Sequence, residues 1–171
     1  MNEKERKMTK DKYLGLDGKE RFTTIAEALN DVFDYKVKGT GESIERAGRS
    51  VYKIAQNKKA WFPHLAQPNN GGWKAPDNIG WINIPSPDQR FITQIPLKNN
   101  KTHEETPEEK ETSVGVHYAV FVCEGTKPPD KYRFYGIFSH GKPDKNGIKV
   151  WKRENTVLVC SEWKAQRTDK E

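Results

Sequence analysis

The sequence has few features of a membrane or secreted protein. None of its apolar runs approaches the length of a membrane span or of the hydrophobic region of a signal peptide. It contains two cysteines, Cys123 and Cys160, and each ends a short apolar run, which predicts two small buried side chains. We therefore expect a cytoplasmic protein that works in a reducing compartment without a membrane partner.

Common signatures of enzymatic chemistry are also missing. The sequence has no GxxxxGK[ST] loop, no GxGxxG after a predicted strand and no GxSxG elbow, which argues against NTP hydrolysis, dinucleotide binding and α/β-hydrolase chemistry. Its 4 histidines lie in separate local contexts, and none is spaced from a second histidine or a cysteine as zinc ligands are. We expect no metal and no cofactor.

The composition that remains describes a polar domain of ordinary size. Of 171 residues, 33% are hydrophobic and 11% are aromatic, so large rings must supply much of the buried area. The 30 Lys and Arg residues against 24 Asp and Glu give a net charge of +6, a mixed but basic surface that favours an anionic partner. Nucleic acid is the commonest partner of that kind.

Changes in composition along the chain divide it into regions. Residues 1–21 are charged and almost without apolar periodicity, which predicts a flexible arm. Residues 98–113 are rich in glutamate and have no large apolar side chain, which predicts an acidic loop. We predict a single domain over residues 22–164, from which this loop projects, and a tail over residues 165–171.

Two helices are predicted in the first third of the chain. Thr24 and Glu27 fit a capping box, and the apolar residues that follow recur at helical spacing as far as Asp34. Ser43 can cap a second helix over residues 43–60, in which apolar residues repeat with a period near 3.6 and the other face is basic. A helix-turn-helix is an alternative interpretation, although its turn of about nine residues exceeds what that motif uses.

The rest of the chain favours strands. Prolines between residues 59 and 95 exclude long helices, and Trp81–Ile84 with Arg90–Ile95 flank Pro-Ser-Pro-Asp, which predicts a β-hairpin. Residues 114–164 contain four short apolar runs, VGVHYAVFVCE, KYRFYGIF, IKVWK and TVLVC, which alternate as strands do. The predicted fold class is therefore α+β, with two N-terminal helices on a curved, mostly antiparallel sheet or small β-barrel.

Basic and aromatic side chains are interleaved on these predicted strands. Strict alternation places Arg133, Tyr135 and Ile137 on one face of KYRFYGIF. On that face Tyr135 and Trp151 could stack on bases while neighbouring cations bind phosphate, or all could be ordinary cross-strand pairs on a solvated face. The candidate nucleic-acid-binding residues are Arg46, Arg49, Lys53, Arg133, Tyr135, Lys149, Trp151, Lys152 and Arg153.

Two catalytic sets are alternatives to a binding role. Asp144, Glu162 and Lys164 have the spacing of a PD-(D/E)xK nuclease, in which two carboxylates hold a divalent metal and the lysine stabilises charge on phosphate. Asp144 also lies in GKPDKNG, which is a good turn in its own right. His117 and Arg133, with either Glu162 or Glu124, could form an acid–base set for RNA cleavage.

Two segments carry a family resemblance. YRFYGIF, followed by a turn and IKVWKRE, resembles a strand pair of PUA-like and SRA-like reader modules in bacterial restriction and DNA-processing proteins. AWFPHLAQ and GWINIPSPDQRFI resemble a module found beside such regions, with Gln89 where glycine is usual. The resemblance covers residues 60–160 and implies a curved β-barrel that reads nucleic acid without catalysis, with a base taken out of the stack into an aromatic pocket.

The sequence thus predicts a non-catalytic nucleic-acid-binding module, able to read a modified base, in a prokaryotic or phage restriction or defence system. DNA is favoured over RNA as the partner. The first alternative is a metal-dependent nuclease built on Asp144, Glu162 and Lys164. The second is a phage inhibitor that binds a host defence nuclease, with the acidic loop mimicking phosphate.

Overall fold

The computed structural model describes residues 12–36, 50–69, 72–74, 81–97, 115–123 and 131–166. These residues form one α-helix, α1 (Ile25–Phe33), and one short 3-10 helix (Cys160–Trp163), and the remaining elements are strands. The strands are β1 (Tyr13–Gly15), β2 (Val51–Ala55), β3 (Lys58–Trp61), β4 (Gln67–Asn69), β5 (Gly72–Lys74), β6 (Trp81–Pro85), β7 (Phe91–Pro96), β8 (His117–Cys123), β9 (Tyr132–His140), β10 (Lys149–Asn155) and β11 (Val157–Val159).

One seven-stranded sheet dominates the fold, in the order β2-β3-β8-β9-β10-β7-β6. Neighbouring strands are antiparallel except β3 and β8, which are parallel, so the predicted mostly antiparallel sheet is confirmed. Strands β6 and β7 pair from Trp81 opposite Pro96 to Pro85 opposite Ile92, which confirms the predicted hairpin. Two further pairs, β1 with β11 and β4 with β5, lie outside this sheet.

The sheet is strongly curved. Trp61 on β3 and Trp151 on β10 stack with ring centroids 4.2 Å apart, although β8 and β9 lie between their strands. Three strand spacings on a flat sheet would separate the two backbones by roughly 14 Å. The edge strand β6 is also bonded to the segment after β3, because the Ala66 amide donates to the Asn83 carbonyl at 2.8 Å.

Each face of the sheet has its own core. The inner face, onto which the curvature closes, carries Trp61, Val120, Phe138 and Trp151 among its buried residues. The outer face packs against α1 and the 3-10 helix, and Phe33 of the helix contacts the ring of Phe121 with centroids 5.9 Å apart. Two cores on the two faces of one sheet explain how a chain with 33% hydrophobic residues buries so many of its rings.

Helix α1 begins and ends where the sequence predicts. The Thr24 hydroxyl accepts a hydrogen bond from the Glu27 amide at 3.1 Å, and the Glu27 carboxylate accepts from the Thr23 amide at 3.0 Å. Asp34 ends the helix in the left-handed conformation with φ 51°. The capping residues therefore set both ends of the helix.

The prediction of a second helix over residues 43–60 was wrong. Residues 43–49 lie outside the described part of the chain, whereas Val51–Ala55 and Lys58–Trp61 are strands β2 and β3. Asn57, with φ 60°, turns the chain back between them. Tyr52 and Ile54 are buried while Val51 and Lys53 are exposed, which is the two-residue alternation of a strand. Without a second helix in this segment, the helix-turn-helix interpretation is also wrong.

Part of the predicted N-terminal arm is ordered. Tyr13–Gly15 pair with Val157–Val159, and Leu14 is buried in the outer core. This strand could not be predicted from the sequence, because only one of its three residues is a buried apolar side chain and no alternating pattern can be recognised. The proposed boundaries at residues 21, 22, 164 and 165 remain predictions, and the acidic loop over 98–113 lies outside the described residues.

Candidate nucleic-acid interface

A row of polar side chains crosses the inner face of the sheet. Asn83 on β6 lies opposite Gln94 on β7, and Gln94 lies opposite Lys149 on β10. Directly opposed residues of antiparallel strands share a face, so all three point inward. Each is at most 8% exposed, which is unusual for these residue types.

Hydrogen bonds fix the orientation of both amides in this row. The Asn83 Nδ2 group donates to the His64 carbonyl at 3.2 Å, and the indole N–H of Trp151 donates to Gln94 Oε1 at 3.2 Å. A carbonyl can only accept and an indole N–H can only donate, so neither amide can be reversed. Asn83 therefore presents its oxygen, an acceptor, and Gln94 presents its NH₂ group, a donor.

The Asn83 oxygen has no partner within the described residues. Asn83 Oδ1 is buried and accepts no hydrogen bond there. A buried acceptor left unpaired costs about 1–3 kcal/mol, and native proteins contain few of them. Because the amide orientation is fixed, this oxygen is a ready acceptor for an incoming donor.

Aromatic rings and cations surround the polar row. The Lys149 ammonium lies 5.7 Å from the centroid of the Trp81 ring, and His140 packs on Trp151 with centroids 4.4 Å apart. Further along the same face, the Lys59 ammonium lies 5.9 Å from the centroid of Tyr118. The inner face thus combines π surfaces with positive charge, which suits an aromatic, anionic ligand such as a nucleotide.

The structure brings several predicted binding residues together on the inner face. Arg133 and Arg153 both lie over the ring of Tyr135, with guanidinium carbons 5.2 and 4.9 Å from its centroid. Lys149 and Trp151 lie four and two residues before Arg153 on β10, on the same face. These five residues form one continuous cluster with the polar row.

Other predicted residues do not join that cluster. Lys152 is exposed between the buried Trp151 and the partly buried Arg153, so it lies on the opposite face of β10. Lys53 lies on edge strand β2 opposite Lys59, at the far side of the inner face. Arg46 and Arg49 lie outside the described residues.

The structure does not expose Tyr135 and Trp151 as the predicted stacking role on a strand face requires. Tyr135 is 1% exposed and Trp151 is 4% exposed, so neither ring offers a free face on the surface. Trp61 covers one ring and the two arginines cover the other. The predicted face of β9 also changes, because Ile137 packs on the outer face while Tyr135 is on the inner one.

The residues of the alternative nuclease lie apart. Asp144 belongs to the turn before β10, where its carboxylate accepts from the amides of Asn146 and Ile148 at 2.8 and 3.0 Å. Glu162 lines a groove of about 550 Å³ on the outer face, beside Asn155 at the other end of β10. Lys164 lies two residues after Glu162. The carboxylates of Asp144 and Glu162 are therefore at opposite ends of β10, and the lysine is near only one of them.

The acid–base set for RNA cleavage is also divided between faces. His117 and Glu162 line the same outer groove, but Arg133 lies over Tyr135 on the inner face. Across the described ranges, no group of three His, Cys, Asp or Glu side chains is arranged to hold a metal ion. Neither of the helices in these ranges could span a lipid bilayer.

Sequence reasoning missed the residues of the polar row other than Lys149. In the predicted hairpin the isoleucines at 82 and 84 suggested the buried face, yet Asn83 between them is the more buried residue. The predicted hairpin could have revealed these residues, because its register places the amide side chains of Asn83 and Gln94 opposite each other on one face. Two amides facing each other on one side of a hairpin are unusual when that side is buried.

Comparisons of the sequence and of the structure with known proteins identify similar domains. The model of the SRA domain, the SET and RING associated domain, matches residues 7–158. Among solved structures, the chain is similar to the 5-hydroxymethylcytosine-specific restriction enzyme AbaSI, with 25% sequence identity and a TM-score of 0.61. The likeness covers 86% of this chain and 42% of that one, so this chain spans less than half the length of AbaSI.

No curated protein matches the chain significantly. The family match confirms the predicted resemblance to SRA-like reader modules. Because the family model spans nearly the whole sequence and the curved sheet agrees with it, the chain belongs to the SRA domain family.

Proposed function

We propose that this chain is a non-catalytic DNA-binding module that reads a modified cytosine, held out of the stack against the inner face of the sheet. The observation that carries the proposal is the buried, unpaired Asn83 oxygen beside the donor amide of Gln94. A base taken out of a duplex exposes its hydrogen-bonding edge and needs partners of matching polarity.

The acceptor and donor in the polar row match the Watson–Crick edge of cytosine, which adenine shares, and exclude that of thymine. Cytosine carries an N4 amino group, a donor, next to the N3 acceptor, whereas thymine carries an O4 acceptor at the equivalent position. Asn83 Oδ1 would accept from N4, and the Gln94 amide would donate to N3. Thymine would place its oxygen against the Asn83 oxygen and be rejected.

The rings around the row would hold the base by its faces. Trp81 lies beside Lys149 of the polar row and is only partly buried, and stacking of a base on an aromatic ring contributes about 1–3 kcal/mol. A substituent at C5 of the base would then meet side chains beside the row. AbaSI is described as specific for 5-hydroxymethylcytosine, so that base is the first to test.

The biological setting is proposed from the same likeness. AbaSI is a restriction enzyme, which supports a role in a prokaryotic or phage restriction or defence system, with other proteins of that system as possible partners. Cleavage is not proposed for this chain, since its candidate nuclease carboxylates lie at opposite ends of β10. The cytoplasmic location is retained in the proposal, and the side chains of Cys123 and Cys160 are both buried.

The test compares three duplexes that differ at one cytosine, which is unmodified, 5-methylated or 5-hydroxymethylated. Fluorescence anisotropy should show tighter binding to at least one modified duplex, and Gln94→Leu should weaken binding to that duplex, because the donor to N3 is lost. Equal affinity for all three duplexes would contradict base reading. Incubation of a modified plasmid with magnesium, beside the Glu162→Ala variant, tests the nuclease alternative, because cutting that depends on Glu162 would overturn the non-catalytic assignment.

A further inference from the structure

A bulge in β9 creates an unusual feature on the inner face. Val120 of β8 pairs with Gly136 and Phe121 pairs with Phe134, so Tyr135 is an extra residue in the strand. Gly136 takes φ 129°, a conformation that side chains other than glycine's rarely adopt. Bulges of this kind change the direction of side chains and are frequent beside functional sites.

The bulge frees the Tyr135 carbonyl to hold an arginine. Arg153 donates to this oxygen from Nε at 3.0 Å and from Nη2 at 2.6 Å. Its guanidinium carbon lies 4.9 Å from the Tyr135 ring centroid and 5.4 Å from that of Phe138. A Cβ atom on residue 136 would lie 2.7 Å from Arg153 Nε, so glycine is required for this arrangement as well as for the backbone.

A second guanidinium lies at the same ring. Arg133 stands 5.2 Å from the Tyr135 centroid, so two like charges share one buried side chain. Burial, and then the proximity of Arg133, lower the pKa of Arg153 from its ordinary value. The negative charge of Asp88 acts in the opposite direction on the pKa of Arg153, and the Asp88 carboxylate already accepts from the Ser86 hydroxyl at 2.6 Å and the Arg90 amide at 3.1 Å.

Two guanidiniums near one ring give this part of the inner face a positive charge that suits an anion. Within the described residues, the Nη1 group of Arg153 makes no hydrogen bond, while Nε and Nη2 are fixed by one carbonyl. The planar fork of arginine binds phosphate oxygens with strong, directional hydrogen bonds, and a fixed guanidinium loses little freedom on binding. An anion between the two cations would also relieve their repulsion.

We propose that Arg153 and Arg133 bind one phosphate of the DNA backbone, and that Gly136 is the positioning residue that allows the Tyr135 carbonyl to hold Arg153. The inference rests on the proposed function and adds where the backbone lies. Trp151, which is bonded to Gln94 of the polar row, precedes Arg153 by two residues, or about 7 Å along the strand. The phosphate site and the base site are therefore neighbours on one strand face.

The experiment measures affinity for the preferred and the unmodified duplex at several salt concentrations. Loss of one phosphate contact lowers the slope of log affinity against log salt by about 0.9, so the affinity lost between 50 and 200 mM salt becomes roughly 3- to 4-fold smaller. Arg153→Ala and Gly136→Ala should both show this change and should weaken the two duplexes by the same factor, since a phosphate carries no base identity. Arg153→Lys, which keeps the charge, should keep most of the slope.

Two matched controls separate this role from general effects. Arg21 is an exposed arginine whose guanidinium also donates to main-chain carbonyls, those of Gly18 and Glu20, and Arg21→Ala should leave the slope unchanged. Gly15 has no atom within 4 Å of an added Cβ, and Gly15→Ala should also bind normally. Thermal unfolding of every variant shows which variants remain folded. If Arg153→Ala does not fold, the salt dependence of Arg133→Ala is measured in its place.

The two proposals can fail separately. If the wild type prefers a modified duplex but a folded Arg153→Ala variant keeps the full salt slope, Arg153 is only a cross-strand brace and the phosphate site is refuted. If the wild type binds no duplex at all, the DNA-reading function itself is refuted. Slopes that fall in Arg153→Ala but not in Gly136→Ala would refute the positioning role of the glycine.

Discussion

Replacing Asn83 with leucine should affect stability and binding in opposite directions. Asn83→Leu removes the amide bond to the His64 carbonyl, which contributes about 1 kcal/mol, and His64 is partly exposed so that water can replace it. It also removes the buried unpaired oxygen, whose presence costs about 1–3 kcal/mol. The balance is a change in the free energy of unfolding between zero and about 2 kcal/mol in favour of the variant.

Binding of a modified cytosine should weaken in the same variant. The N4 amino group would enter the inner face without an acceptor, which costs about 1–3 kcal/mol or roughly 5- to 150-fold in affinity. Urea unfolding measures the first quantity and anisotropy with a modified duplex measures the second. Thr93→Val is the control, because Thr93 precedes Gln94 on β7 and points to the opposite face.

If Asn83 has a purely structural role, Asn83→Leu should destabilise the protein instead of stabilising it. If its amide mainly braces β6 against the segment after β3, Asn83→Leu should lower the free energy of unfolding by about 2 kcal/mol or more. That loss of stability, or an unchanged affinity for the modified duplex in a folded variant, would refute the reasoning.

Three further perturbations test the fold that supports the site. Thr24→Ala removes the helix cap and should lower the free energy of unfolding by about 1 kcal/mol, or about 2–4 °C in melting temperature; an unchanged melting temperature would mean that the cap contributes nothing. Trp61→Ala removes the ring that stacks on Trp151 and should cost about 3–5 kcal/mol in urea unfolding; a loss under about 1 kcal/mol would contradict the curvature. A hydrogen bond from the Ser86 hydroxyl lowers the pKa of Asp88 from its ordinary 3.8. This hydrogen bond therefore stabilises the folded protein above pH 3.8, and the stabilisation is lost as the pH falls through the pKa of Asp88 in the folded state. Unfolding of Ser86→Ala and wild type from about pH 5 to about pH 2 should therefore converge, and a constant difference would exclude the linkage.

Local signals in the sequence predicted the elements that depend on local chemistry. The Thr24 cap and the left-handed Asp34 mark the ends of α1, and the β6–β7 hairpin follows its Pro-Ser-Pro-Asp turn. Gln89 shows why that turn usually has glycine, since its φ of 61° is left-handed. The second helix failed because residues 51–61 satisfy both periods, and pairing with β8 decides between them.

The candidate site could be predicted only in part, because curvature is not a local property. Arg133, Lys149 and Arg153 were found from charge and alternation on neighbouring strands. The contact between Trp61 and Trp151 joins strands that are three positions apart in the sheet, and no pairing rule anticipates it. The burial of Asn83 follows from that contact, since only a closed inner face excludes water from a β6 side chain.

Two departures from ordinary folding rules lie on the same inner face. The Asn83 oxygen is buried and has no partner among the described residues, and the bulge at Tyr135 brings two guanidiniums to one ring. Each feature would be removed by a simple substitution. Sequences tend to break such rules at functional sites. A donor from a base would satisfy the oxygen and a phosphate would neutralise the guanidiniums, so a single nucleotide resolves both, which is why we assign the inner face rather than the outer groove to DNA.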